Sequence, residues 1–174
     1  MARRIAYSGS FHGVDHERFA SNEELYLPVN GAIILTDEDV PQSFAPISLA
    51  WGGEVQATFI VTASLFQKNR VGILVNGKLF EGTNETGILE DEKNDDLVVP
   101  RGGSPVPFTM NLFNDGWLGG GGDSASLSLT FTNNLVEDEE DEDEEPDQVN
   151  IQHMDHFLRP RFEDRFIALR RIQV

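Results

Sequence analysis

Strict two-residue alternation of apolar and polar side chains constrains this chain more than any other feature. From Glu54 to Phe66, Val55, Ala57, Phe59, Val61, Ala63 and Leu65 fall on one side. Gln56, Thr58, Thr62 and Ser64 fall on the other, with Ile60 and Phe66 as apolar exceptions. A strand sends successive side chains to opposite faces, so this pattern specifies a long strand with one buried face. Ala125–Thr132 alternates without exception, placing Ala125, Leu127, Leu129 and Phe131 inward. Val106–Phe113 repeats the pattern through Val106, Phe108, Met110 and Leu112.

Turn signals punctuate these segments. Asn76-Gly77, between Ile73 and Phe80, predicts a type I′ hairpin turn, because both residues tolerate positive φ. Asn30-Gly31 predicts a second turn, with Pro28 confining the preceding strand to a short or edge position. The resulting expectation is strands at 4–8, 24–29, 32–36, 45–50, 54–66, 71–76, 78–82, 96–99, 105–113, 124–132, 148–154 and 164–173. Many short strands joined by tight turns imply antiparallel pairing. The fold class expected is an all-β, antiparallel two-sheet β-sandwich of Ig-like or jelly-roll type, with at most one or two short helices. Ser21 to Glu24 fits a one-turn capping box, and 161–172 fits either a strand or a helical stripe. A length of 174 residues favours one domain spanning 1–174.

Charge is distributed unevenly. The net charge is −17, and ten carboxylates lie between Glu137 and Asp147, leaving −7 for the remainder (−17 + 10). This run offers nothing apolar to bury, so it reads as an acidic loop, 136–148, inserted between late strands. Glu139 and Asp141 stand within it as candidate interaction residues. An arginine-rich counterpart follows, with Arg159, Arg161, Arg170 and Arg171 placed to pair with the acidic loop of the same chain or of a neighbouring copy. No basic surface is evident to displace phosphate counterions, which argues against direct nucleic-acid binding.

Cysteine is absent, which excludes disulfides, thiolate zinc sites and a cysteine nucleophile. No apolar run approaches the roughly 20 residues of a membrane-spanning helix. The N-terminus has no apolar stretch of the secretory type, so a cytoplasmic protein or a virion or assembly component is the expectation. Asn84-Glu85-Thr86 matches a glycosylation acceptor but reads as a polar loop.

Three groups of residues carry candidate chemistry. The four histidines form two clusters, His12 with His16 and His153 with His156, each accompanied by an aspartate. Imidazole and carboxylate ligands suit zinc, nickel or similar ions. The bland alternative is histidines in polar turns, and no recognised metal motif is matched. Calcium is the cofactor for which oxygen ligands are most abundant: Asp91, Asp95 and Asp96 in one acidic stretch, Asp115 and Asp123 in another. Neither stretch has EF-hand spacing, and aspartates also serve turns. Trp117 lies in a glycine-rich loop that ends in Gly119–Gly122. It suits stacking on a sugar or plugging a neighbouring subunit, or else capping the core. The loop lacks the Lys-Ser/Thr of a phosphate loop.

No nucleophile is marked by a local motif. The expected function is therefore a non-enzymatic structural or assembly protein, a β-sandwich subunit of a homo-oligomer, filament or capsid-like assembly, with self-association or a protein partner. The alternatives are a calcium-dependent or carbohydrate-binding module, and a metal-dependent enzyme using the histidine clusters.

Overall fold

The computed structural model describes residues 1–16, 21–82, 87–114 and 122–136. The acidic run, the arginine-rich segment, His153, His156, Asp115, Trp117 and the expected strands at 148–154 and 164–173 lie outside these residues.

Nine strands follow one another: β1 Arg3–Asp15, β2 Glu23–Leu35, β3 Gln42–Ser43, β4 Ile47–Trp51, β5 Val55–Leu65, β6 Val71–Glu81, β7 Ile88–Val99, β8 Val106–Phe113 and β9 Ser124–Leu135. A 3-10 turn, Gln67–Asn69, bridges β5 and β6. The strands form two antiparallel sheets. One has the order β2-β1-β9-β8 and the other β3-β5-β6-β7, with β4 also paired to β5. The fold is the expected all-β two-sheet sandwich. Consecutive strands are neighbours around its circuit, and β9 closes on β1 with Arg3 opposite Leu135 and Val14 opposite Ser124.

The alternating residues build the core as their spacing requires. Phe59, Phe131, Phe11, Ile5, Ile73, Leu79, Leu112 and Leu127 are wholly buried between the sheets. Aromatic rings meet edge-on, Tyr7 with Phe44 at 5.0 Å and Phe11 with Trp51 at 5.3 Å between centroids, the geometry that aromatic quadrupoles favour.

Both expected Asn-Gly hairpins are corrected. β2 and β6 run straight through them, with Tyr7 opposite Gly31 and Phe59 opposite Gly77 in the ladders. The glycines provide space rather than a turn. A Cβ at Gly77 would stand 2.6 Å from Met110 Sδ and 2.9 Å from the Phe59 ring. At Gly31 it would stand 2.7 Å from the Tyr7 ring, and at Gly13 2.7 Å from the Trp51 ring. Three mid-strand glycines thus each accommodate an aromatic ring in a close-packed interior. The capping box is corrected as well, because Glu23 and Glu24 begin β2.

One end of the core is plugged by a polar clasp. Arg3 is fully buried on β1 and donates from Nε to Asn133 Oδ1 at 2.9 Å and from a terminal nitrogen to Asn133 O at 3.0 Å. Asn133 donates in turn to the carbonyls of Asn69, at 2.9 Å, and Val99, at 3.3 Å. Four separate stretches of chain are tied at one point.

Candidate functional site

The sandwich has two unlike ends. The β5–β6 turn, the β7–β8 loop, the start of β1 and the exit of β9 share one end, where the Arg3–Asn133 clasp joins them. Arg3, Arg4, Lys68, Arg70 and Arg101 belong to it, five of the seven described lysines and arginines. Val136 donates its N–H to Ala2 O there, and Asp37, Glu38 and Asp39 join the same end, where the Asp39 N–H donates to Leu65 O. The opposite end carries Asp15, Glu23, Glu24, Glu54, Glu81, Glu90 and Asp123.

At that acidic end, a β-bulge in β7 sets the local chemistry. Leu79 faces Asp91 while Phe80 faces Leu89, leaving Glu90 as the extra residue. A bulge re-aims the side chain it carries. The Glu90 carboxyl lies in the field of Glu81 and Asp123 and is hydrogen-bonded to Glu81, and its pKa is raised. Partial burial is the largest cause, followed by repulsion from Glu81, their shared hydrogen bond and repulsion from Asp123.

Among the described residues, the candidate ligands do not converge on one site. His12 lies on the outer face of β1, with Nε2 3.1 Å from Glu24 Oε2 and its ring beside Tyr26. His16 is exposed, and its backbone N–H donates to Asp123 Oδ1 at 2.9 Å. Asp15 is 2% exposed and packs against Gly52. No group of three or more histidine, aspartate or glutamate side chains among the described residues is placed to hold a metal ion.

Asp91 and Asp95, expected before the strand at 96–99, are corrected into it, and Asp96 keeps its expected place in a strand, because β7 spans Ile88–Val99. Their roles follow from the topology. β7 and β8 are adjacent edges of different sheets, and no ladder pairs them. Asp91 Oδ2 accepts the Phe113 N–H at 3.0 Å, and Lys93 Nζ donates to Asn111 O at 2.6 Å. Asp91 and Lys93 stand 3.3 Å apart, and Lys93 lies 5.2 Å from the centroid of the Phe113 ring. Two side chains therefore substitute for missing ladder bonds along this seam. Beside it runs a shallow, open groove of about 530 Å³, lined by residues that include Glu92, Asp95, Thr109 and Phe113. Asp95 and Asp96 are exposed on the same strand, and the Asp96 N–H donates to Asp95 Oδ1.

Free edges of both sheets carry features that obstruct further pairing. β2 carries Pro28 and β8 carries Pro107, residues without an N–H to offer a new strand. β7 alternates carboxylates on both of its faces, Asp91 and Asp95 toward the seam, Glu92 and Asp96 outward. β4 is only five residues long.

The outer face of the β2-β1-β9-β8 sheet is different. Its central rows, read across the ladders, are Ala32-Ala6-Thr132, Asn30-Ser8-Thr130-Pro107, Pro28-Ser10-Ser128-Thr109 and Tyr26-His12-Ser126-Asn111. These four rows contain no lysine, arginine, aspartate or glutamate. Charge appears only in the two end rows, as Arg4 beside Ile34 and as Glu24 beside Val14. Tyr26, Ile34 and Phe113, each more than half exposed, stand at its perimeter. The alternation Ser126, Ser128, Thr130, Thr132 was legible as an outward face. Its joining to the uncharged central stretches of β1 and β2 was not.

No family model matches this chain, and no curated protein matches it. Among solved structures, it is similar to the Salmonella SPI-1 type III secretion injectisome secretin InvG in the open gate state, at 8% identity and a TM-score of 0.20. The match covers 76% of this chain and 56% of that one, so it spans little more than half the length of the solved secretin chain. A likeness this low carries no weight for function.

Proposed function

We propose that this protein is a non-enzymatic structural subunit that works by self-association. The observation that carries the reading is the four-row uncharged face on a chain of net charge −17. Depletion of charge distinguishes the centre of protein interfaces from the remaining surface. Small Ser, Thr, Ala and Asn side chains give a flat surface that loses little side-chain entropy when covered. The obstructed edges support the same reading, since they suppress open-ended strand addition while leaving a face available.

Sedimentation velocity across a range of protein concentration and salt tests the proposal. A concentration-dependent shift to a discrete larger species supports it. A monomer under every condition refutes it.

A further inference from the structure

We infer that the occupant of the uncharged β2-β1-β9-β8 face is a second copy of this chain, stacked through the same face with its strands reversed. This inference rests on the self-association reading and adds the surface, the partner and the orientation.

Three observations support it. The first is area. A row advances about 7 Å along a strand, and four strands span about 19 Å. Three strands run through all six rows from Arg4 to Val14 and β8 through the last four, which together cover roughly 700 Å² per copy, close to the standard size of a stable interface. The four charge-free rows alone cover about 500 Å² per copy.

The second is charge complementarity. Arg4 lies in the first row and Glu24 in the last, about 34 Å apart within one molecule. A two-fold axis across the strands reverses the rows, so β1 lies over β1 of the second copy. Arg4 then lies over the row of Val14 and Glu24, and the reciprocal pair forms by symmetry. The other in-plane axis, along the strands, keeps the rows in register and brings two Arg4 side chains onto adjacent strands. Charge therefore selects the reversed arrangement.

The third is shape. Reversal places Tyr26, the most exposed aromatic side chain of the face, over Ala32 of the second copy. Ser8 falls over Ser10, where paired hydroxyls donate and accept across the axis. A large ring over a methyl and small hydroxyls at the centre fit a close approach of two sheets.

The test uses the full chain in sedimentation equilibrium. Ser10→Glu sets two carboxylates near the axis and is expected to weaken the dimer by about tenfold or more, since like charges in an interface are strongly penalised. Ile60→Glu, on the outer face of the other sheet, is expected to leave it unchanged. Arg4→Glu and Glu24→Arg each weaken it, and the double exchange restores it to within about twofold of the parent. Thermal melts verify that each variant is folded. If the parent dimerises but Ser10→Glu has no effect, or the double exchange fails to restore, this face or its orientation is wrong while self-association stands. If the parent is monomeric throughout, the self-association reading itself fails.

Discussion

Replacing Gly77 with alanine distinguishes a glycine that makes a turn from one that makes room. Gly77 lies within the continuous strand β6, paired with Phe59, and its backbone does not have positive φ. The added methyl would meet Met110 Sδ at 2.6 Å and the Phe59 ring at 2.9 Å. Real Cβ atoms do not approach neighbours that closely, so the core must shift. Overpacking of this kind costs about 1–3 kcal/mol. A turn glycine of positive φ would lose a similar amount, about 1–2 kcal/mol, so the single variant is not decisive. The double-mutant cycle with Met110→Ala is. Met110 is 4% exposed, and its truncation alone costs roughly 2–5 kcal/mol. It also removes Sδ, the nearer of the two obstacles, while the Phe59 ring still stands 2.9 Å from the added methyl, so Gly77→Ala should cost less in the truncated background but still more than nothing. The expected coupling is about 1–2 kcal/mol, in the direction that makes the double variant more stable than additivity predicts. Urea unfolding followed by far-UV circular dichroism measures all four corners. Additivity to within about 0.5 kcal/mol would refute the packing argument.

Further outcomes follow from the clasp, the bulge and the seam. Asn133→Ala removes the Oδ1 that receives Arg3 and both amide donations, and is expected to cost at least about 2 kcal/mol in urea unfolding, because buried bonds to a charged group are worth about 1.5–3 kcal/mol each. Glu90 binds its proton more tightly in the folded state than in the unfolded one, so the folded protein loses stability as pH rises from the ordinary glutamate value through the raised one. Glu90→Gln should therefore raise the melting temperature at neutral pH, with the gain vanishing in acid below the ordinary glutamate value. Asp91→Ala should destabilise by about 1–2 kcal/mol through loss of the Phe113 N–H and Lys93 contacts. That loss should be equal with calcium and with chelator, and a calcium-dependent difference in melting would instead make Asp91 a ligand.

The strands whose faces alternate without a glycine were legible in the sequence. β5 and β8 fall within a residue of the expected positions and β9 runs three residues past its expected end, because Val55–Leu65, Val106–Phe113 and Ala125–Thr132 present one side to a single core. β2 and β6 were each divided in two, because local turn preference was weighed above continuity of the pattern. Val71, Ile73, Val75, Gly77 and Leu79 do keep one parity through the Asn-Gly step. The expected strand at 96–99 omits the acidic first part of β7, Asp91–Asp95, for a related reason. An edge strand that overhangs its partner sheet tolerates charges on its inward side, and composition alone does not distinguish it from a solvated turn. The uncharged face was invisible for a different cause. It draws on four strands separated by up to about a hundred residues, and becomes one surface only when β9 closes on β1.

That closure sets a second mode of assembly beside one through the charged segments, and the two have opposite salt responses. Joining the acidic run to the arginine-rich segment of a neighbouring copy, head to tail, would be driven by attraction between unlike charges, and salt would weaken it. Stacking through the uncharged face brings together two bodies that each carry a charge of −17, so long-range repulsion opposes it. The Arg4–Glu24 pairs at the rim offset little, since exposed pairs contribute only about 0–1 kcal/mol each. Salt shortens the reach of the repulsion to about 8 Å at physiological strength, less than half the width of the face, and leaves the apolar and hydroxyl contacts nearly untouched. Association through this face should therefore strengthen from low to moderate salt. A dimer that dissociates over that interval would place its driving force in the charged segments and not in the β2-β1-β9-β8 sheet.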